Sequence, residues 1–353
     1  MAFPNFQLAG DAATCAACHF APAGGGLLTD FGKEQSVDPL SGGGNGAFLH
    51  GLVPLPNWLS IGGDFRLAGL INDDGSSTGT DRSVFPMQAD LSVRVGSDRL
   101  SVFATGGLWR SVRSVPGTSG FFPPMLISRE HYLLWRPADS NLYVRAGRFF
   151  APYGLRLVDH TTFIRRYLGT NLFEETYGAS IGYVTDPWEI HGTAFLADPL
   201  HPADEGGGGA VLAETRAGDA AIGASARADF RSQTARYQLG PYGKYWWEVA
   251  RLMLMGEVDG VRQNFDAAPD ASRWQLVAYA GPVWMPVRGL SVGLAYELFM
   301  EDLRIRGVDR HAGDVWVSYL PWSHVEILLS GRAQQVGAAD QAWMGMLQLH
   351  YFL

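Results

Sequence analysis

Cys15 and Cys18 stand three apart with His19 immediately after them, in the run Cys15-Ala16-Ala17-Cys18-His19. In the spacing C-x-x-C-H, two thiols can add to the vinyl groups of a haem while the next imidazole comes under the iron. That is the attachment signature of a c-type haem, and His19 is then its proximal ligand. The chain has only these two cysteines, so no disulfide framework or multi-cysteine zinc site competes for them. A redox dithiol, half of a metal site and a chance match are the other readings. No β-α-β pattern surrounds the motif, which counts against the dithiol. The expectation is one covalent haem c on Cys15 and Cys18, with its iron on His19.

The motif does not name the second axial ligand. His50 is the first choice, because Phe48-Leu49-His50 lies in the same N-terminal stretch and can fold back over the haem; its other role is that of a linker residue packed at the entrance to the strand-rich remainder of the chain. A methionine raises the potential relative to a second histidine. By strand parity Met253, Met255, Met344, Met346, His191, His324 and His350 are the remaining candidates. An open sixth position, suited to ligand binding or catalysis, is the last alternative, although no distal acid–base constellation or set of catalytic residues can be assembled from the sequence.

The segment that must hold the motif is small. Residues 1–56 contain two glycine runs (Gly24 to Gly26 and Gly42 to Gly44), Asp30-Phe31-Gly32-Lys33, then Pro54 and Pro56, and nothing strand-like. So short a segment lacks a conventional core of its own. A covalent haem substitutes for part of that core, and the rest of the cover must come from elsewhere. Neither glycine run leads into the Lys-Ser/Thr of a phosphate loop, so both read as flexible chain over the haem edge.

From Trp58 the pattern becomes period two and stays so to the end, which makes residues 57–353 the second unit. Leu59, Ile61, Phe65, Leu67 and Ile71 share one face against Ser60, Asp64 and Arg66. The next strand sets Phe85, Met87, Leu91, Val93 and Val95 against Gln88, Asp90, Ser92 and Arg94. Leu290, Val292, Leu294, Tyr296 and Leu298 oppose Ser291, Glu297 and Glu301, and Val325, Ile327 and Leu329 oppose Glu326, Ser330, Arg332 and Gln334. Alternation of this kind suits a half-buried sheet, including a water-soluble sandwich.

Three features point instead to an outer-membrane barrel. Many segments run about 10 to 14 residues, enough for a tilted crossing of the hydrocarbon layer. Connections alternate in length. Short ones fall near Ser97-Asp98, Ala138-Asp139, Asp186-Pro187, Gly218-Asp219, Glu248-Val249, Val287-Arg288 and Trp322-Ser323. Long ones fall near residues 73–82, 113–124, 152–175, 200–208, 263–271 and 303–312. Tight periplasmic turns and long external loops have that rhythm. The last strand puts Trp343, Leu347, Leu349, Tyr351 and Leu353 on one apolar face, in the manner of a terminal strand read by the barrel-assembly machinery, though such strands usually end in an aromatic residue. Trp58, Trp135, Tyr183, Trp188, Trp246, Trp247 and Trp322 lie near strand ends, as interfacial girdles require. The fold class is therefore all-β: an antiparallel outer-membrane barrel of about sixteen strands with a small N-terminal haem-binding plug. An even count puts both barrel ends on the periplasmic side.

Composition agrees. The chain is rich in glycine (44) and aromatics (12%), low in charge (18%), and carries a formal net charge of −8. Soluble globular proteins are nearer a quarter charged. An acidic balance without basic clusters argues against nucleic acid as a partner, and no apolar run reaches the length of a membrane helix. The opening Met1-Ala2-Phe3-Pro4 has neither a basic nor an apolar leader region, and haem attachment belongs to the periplasm, so a removed signal peptide is expected.

A wide barrel has an aqueous lumen, which Asp64, Arg66, Asp90, Arg94, Glu257, Glu297, Glu301, Glu326 and Arg332 are expected to line, a mixed-sign set that suits a solvated interior or a plug interface, with most of them simply solvated. The head is placed in or against its periplasmic mouth. One external connection stands out: Gly147 to Arg156, then Asp159-His160 and Phe163-Ile164-Arg165-Arg166. Its length suggests a loop folded into the pore, packed there for stability or offering arginines to haem propionates or another anion.

A single C-x-x-C-H near the N-terminus, Phe31-Gly32-Lys33 shortly after it, and a barrel to the end resemble the fused monohaem cytochrome–porins of iron-oxidising bacteria. The resemblance covers the whole architecture, with residue-level matching confined to about residues 5–34. The run Gly24-Gly25-Gly26-Leu27-Leu28 departs from the family, where a shorter and more apolar link is expected, and the chain is short for it. The resemblance implies an outer-membrane protein, in contact with membrane lipid, whose haem takes electrons from an extracellular donor such as Fe(II) and passes them to a periplasmic c-type cytochrome. It carries those roles onto Cys15, Cys18 and His19. The rivals are a transport porin with a haem-bearing plug or sensor, outward extracellular electron transfer, and an enzyme such as a peroxidase with an open iron site.

Overall fold

The computed structural model describes residues 4–10, 12, 14–73, 75, 79–109, 125–171, 174–196 and 206–353. Met1, the connection expected over 113–124, most of that over 200–208 and part of that over 73–82 lie outside the described residues.

Alternation of apolar and polar residues produces sixteen strands. The first eight are β1 (Leu59–Asp73), β2 (Asp81–Gly96), β3 (Leu100–Trp109), β4 (Met125–Trp135), β5 (Leu142–Phe149), β6 (Thr176–Val184), β7 (Trp188–Leu196) and β8 (Gly206–Ala217). The second eight are β9 (Ala220–Arg231), β10 (Thr234–Trp247), β11 (Leu252–Phe265), β12 (Arg273–Val287), β13 (Leu290–Met300), β14 (Arg310–Trp322), β15 (Val325–Val336) and β16 (Ala342–Phe352). Each pairs antiparallel with its sequence neighbours, and β1 pairs with β16 from Asp64↔Phe352 to Asp73↔Trp343, so the sheet closes on itself. Closure leaves no unpaired edge, the one arrangement in which strands can stand in lipid. No described helix is long and apolar enough to cross a membrane.

The face of each strand obeys its alternation. Outside, Leu67, Leu91, Ile222, Leu239, Leu294, Leu329 and Leu347 are exposed. On one strand, Ile222 is 66% exposed while Ala221 beside it is 1% exposed. A continuous exposed apolar surface of this kind is a liability in water and a requirement in lipid. All seven expected short turns fall between strands, on the side where both barrel ends lie. On the opposite side the rhythm is less regular than expected: β9 and β10 are joined by residues 232–233 alone, and β15 and β16 by 337–341.

Two expected faces are corrected. Arg66 pairs with Gln88 and Leu67 with Pro86, so Met87 is an extra residue in β2. That bulge reverses parity before it, and Phe85 pairs with the fully buried Ala68 on the inner face while Val84 points out; an inserted residue flips every side chain beyond it. Trp246 likewise turns inward, packing on the lumen's apolar cluster, while Trp58, Trp135, Trp188, Trp247 and Trp322 are exposed at the short-turn rim.

Before the barrel, the head forms α1 (Pro4–Gln7), α2 (Cys15–Cys18), α3 (Asp30–Val37) and a 3-10 turn at Phe48–Gly51. Inside the barrel lies the connection between β5 and β6, which carries α4 (Phe163–Arg166). Its Tyr153, Leu155, Leu157, Phe163, Ile164 and Leu168 bury themselves against Tyr242, Met253, Met255, Val277 and Tyr279 of the wall, forming the largest apolar cluster.

Candidate functional site

The C-x-x-C-H run is one helical turn held at both ends. Thr14 caps it by accepting from the Ala17 N–H at 3.2 Å, and the His19 N–H donates to the Cys15 carbonyl at 3.0 Å. A helical turn sets residues three apart on one side, so Cys15 and Cys18 share a face. At His19 the backbone becomes extended (φ −120°, ψ 142°), which ends the helix. The chain then reverses through Gly24, Gly25 and Gly26, all at positive φ, and returns to bridge His19 with Leu28. This glycine run is thus a tight turn rather than loose cover.

Helix α3 clamps the turn. Thr29 caps α3 through Gly32 N–H and donates its own hydroxyl to the Ala17 carbonyl at 2.6 Å, and Thr29 N–H donates to the Cys18 carbonyl at 2.9 Å. At Gly32 a side chain would overlap the Cys18 backbone. The glycine of Phe31-Gly32-Lys33 is what lets α3 lie directly on the cysteine turn.

Cys15 is buried and Cys18 half-buried, and both thiols are free. Burial pushes the Cys15 thiol up, and pushes Cys18 up to about 11 with help from Cys15. Burial lowers His19 to about 4, so the ring is neutral at physiological pH, the form that ligates metals. Its Nδ1 is buried without a hydrogen-bond partner, and the carbonyls of Gly25 and Gly26 are the backbone groups that act on the ring.

The barrel grips this head at three places. In the first, Gln7 meets Glu214 at 3.4 Å and accepts from Lys244 at 2.5 Å, while Arg156 of the inward loop donates to the Ala23 carbonyl at 3.2 Å. These groups belong to a buried knot: Arg156–Glu189 2.5 Å, Arg216–Glu189 2.5 Å, Arg216–Glu214 2.8 Å, Lys244–Glu214 2.8 Å and His191–Glu189 2.7 Å. In the second, Arg136 donates to the Phe20 carbonyl at 2.7 Å and the Arg94 guanidinium lies 4.2 Å from the Phe20 ring centroid. Beside them Phe20 and Leu27 pack on an aromatic patch of the inner wall, Phe103, Tyr132, Tyr143 and Phe149. In the third, Arg288 donates to the carbonyls of Ser41 and Val37, and Gly42 and Gly43 hydrogen-bond Leu320 and Ser323. The second glycine run is therefore docked on the β14–β15 turn, away from the cysteines.

The inward loop is fixed by carboxylates. Tyr153 donates to Asp259 at 2.6 Å, the Gly154 N–H to Ser225 at 2.9 Å, the Leu155 N–H to Glu257 at 2.7 Å and the Phe163 N–H to Glu297. Gly154 has φ +57°, and a side chain there would strike the Glu257 carboxylate. Of the loop's arginines Arg156 reaches the head, whereas Arg165 donates to the Thr170 and Leu157 carbonyls within the loop.

His50, expected as the distal ligand, stands exposed at the short-turn rim. Its ring meets His324 at 4.5 Å and Tyr351 at 6.2 Å, and Leu49 and His50 both have left-handed backbones. None of its described contacts is with His19 or α2. Five of the other seven candidates are engaged elsewhere, and Met344 and Met346 lie half-buried on β16. Met253 and Met255 lie in the apolar cluster under the loop, and His191 is tied to Tyr143 and Glu189. His324 is bonded to the Phe352 and Asn45 carbonyls, and His350 to Asp64 and Glu326. The expected lumen residues do face inward, but Arg94, Glu257 and Glu297 are buried in contacts rather than solvated. Glu189, Glu214, Arg216 and Lys244 were not singled out in the sequence, although the alternation of β7, β8 and β10 puts all four on the inner face.

The geometry defines a stoppered barrel of the outer-membrane porin fold. No protein-family model matches the chain, and no curated protein does. Among solved structures it is similar to OmpT of Vibrio cholerae, at 12% identity and TM-score 0.66 over 85% of this chain and 100% of that one. It is similar also to an anion-selective porin from Comamonas acidovorans, at 11% identity and TM-score 0.60 over 84% of this chain and 99% of that one. The outer-membrane channel DcaP of Acinetobacter baumannii gives 10% and 0.61 over 84% and 97%.

Proposed function

We propose that this barrel carries one covalent haem c in its head and moves electrons across the outer membrane, as the resemblance to the cytochrome–porins implies. Cys15 and Cys18 would hold the porphyrin, and His19 would ligate its iron through Nε2. The observation that carries this reading is the state of His19: a neutral ring with a buried, unpartnered Nδ1, next to two free thiols on one helical face. A ligating histidine needs its second nitrogen directed at an acceptor, and the backbone of Gly25 and Gly26 acts on this ring. A haem c supplies reversible one-electron exchange at its iron.

The chain's own residues do the rest. Gln7, Phe20, Ala23, Val37 and Ser41 hold the head to the wall. Arg156 lies near Cys15 with its charge matched by Glu189, and it ties the head to the wall through the Ala23 carbonyl. One cofactor cannot span the membrane, so a donor such as Fe(II) and a periplasmic cytochrome must each come close. Flow in the outward direction uses the same parts.

The likeness to solved porins favours a second reading, solute transport with the head as a movable stopper. Purified protein in liposomes separates the two, with Fe(II) outside and a cytochrome acceptor inside. Electron transfer predicts reduction of the acceptor and conductance far below that of an open porin. Failure of the haem to reduce, with permeability like an open porin's, would remove the electron-transfer reading and leave the transporter.

A further inference from the structure

The opposite end of the lumen holds a feature that neither reading uses. A cavity of about 300 Å³ opens on the long-loop side of the inward loop. Arg236 and Arg273 come from the outer ends of β10 and β12, Arg310 opens β14, and Arg166 comes from the end of α4. Glu301 is the one carboxylate among the described lining residues. It is shared by Arg273 at 2.8 Å and Arg310 at 3.6 Å. The floor is Tyr167 stacked on Phe299, centroids 3.9 Å apart and 13° from parallel. The Arg310 guanidinium stands 5.9 Å and 6.0 Å from those two rings.

Four guanidiniums against one carboxylate leave an excess of positive charge among the lining residues, with Asp229 and Glu174 acting on Arg236 from outside the cavity. The Nε atoms of Arg236, Arg273 and Arg310 and the hydroxyl of Tyr167 are buried without hydrogen-bond partners. Leaving a buried donor unmatched is unfavourable, the more so for a charged group. A bound anion would supply both the charge and the acceptors. The side chains of Arg273 and Arg310 are still 28% and 31% exposed, so a solute can reach them.

We infer that this cavity binds small multivalent carboxylates arriving from the outer side. A monocarboxylate would only replace Glu301 on two arginines, with no net gain. A multivalent one can take up those two and reach Arg236 or Arg166 as well, through paired charge-assisted bonds. The Tyr167–Phe299 stack offers an apolar surface to a carbon skeleton, which inorganic phosphate lacks. The inference stands whether or not the head carries haem.

Calorimetric titration of the full-length protein in detergent, with citrate as the probe, tests it. Citrate should bind, with acetate and inorganic phosphate at least about tenfold weaker and all binding falling as salt rises. Arg310→Gln and Arg166→Gln should each weaken citrate by about tenfold, whereas Glu301→Gln, which removes the internal competitor, should tighten it. Heat-dependent mobility on gels checks that each variant remains a folded barrel, and the charge-removing Glu301→Gln keeps the test open if an arginine variant fails. The inference is overturned if citrate does not bind at millimolar concentration, if phosphate or acetate binds equally well, or if Glu301→Gln leaves citrate affinity unchanged or lowers it.

Discussion

The two ends of the lumen use the same side chains to opposite ends. On the short-turn side, Arg156, Arg216 and Lys244 meet Glu189 and Glu214 in a buried knot that also ties down Gln7 and the Ala23 carbonyl of the head. On the long-loop side, four arginines surround a cavity that contains a single carboxylate. Charge that is matched and buried fixes the stopper in place. Charge that is partly exposed and left in excess can receive a solute. Depth and pairing, more than residue type, decide which task an arginine performs.

This contrast sets an order of effects. Glu189→Ala should do the most damage, because it leaves Arg156 and Arg216 without their shorter contacts inside the wall. Removing one partner of a buried pair costs about 3–5 kcal/mol, to be read as a lowered urea midpoint in vesicles and as raised conductance when the head loosens. Gly32→Val comes next, since its side chain meets the Cys18 backbone. Overpacking of this kind costs about 1–3 kcal/mol, and the effect should show in protease sensitivity of the head with the barrel's unfolding unchanged. Phe20→Ala removes the ring under Arg94, worth about 0.5–2 kcal/mol for a partly desolvated cation–π contact, and should raise conductance less than Glu189→Ala does. Arg273→Gln at the outer end should cost under about 1 kcal/mol, as partly exposed ion pairs do. A loss there as large as that of Glu189→Ala would erase the distinction between the two ends.

The barrel was legible because lipid outside and side chains within impose a strict period of two, and because tight turns recur on one rim. The strand count and all seven short turns came from that alone. What stayed hidden arises from the third dimension. A single extra residue at Met87 reverses Phe85, and nothing in composition marks it. The inner wall at β3 to β5 is aromatic, and Phe103 or Tyr143 cannot be told from a lipid-facing residue by type when both faces are apolar. The glycine runs had the composition of loose chain, yet one is a reverse turn beside His19 and the other a docking strip on Leu320 and Ser323. The spacing of Cys15, Cys18 and His19 is local and stands in the sequence, whereas the helical turn that carries it and the clamp of α3 through Gly32 do not. His50 was placed by proximity in sequence, and its packing on His324 and Tyr351 depends on the closing strands some three hundred residues away.

The central claim is that Cys15 and Cys18 carry a haem through thioether bonds inside a stoppered barrel. The direct measurement is the intact mass of the denatured mature chain, purified from cells that possess periplasmic haem-attachment machinery. The account predicts a chain heavier by one haem, and a variant with Cys15→Ser and Cys18→Ser that lacks the addition while still folding as a barrel. A wild-type chain at the bare polypeptide mass would contradict it.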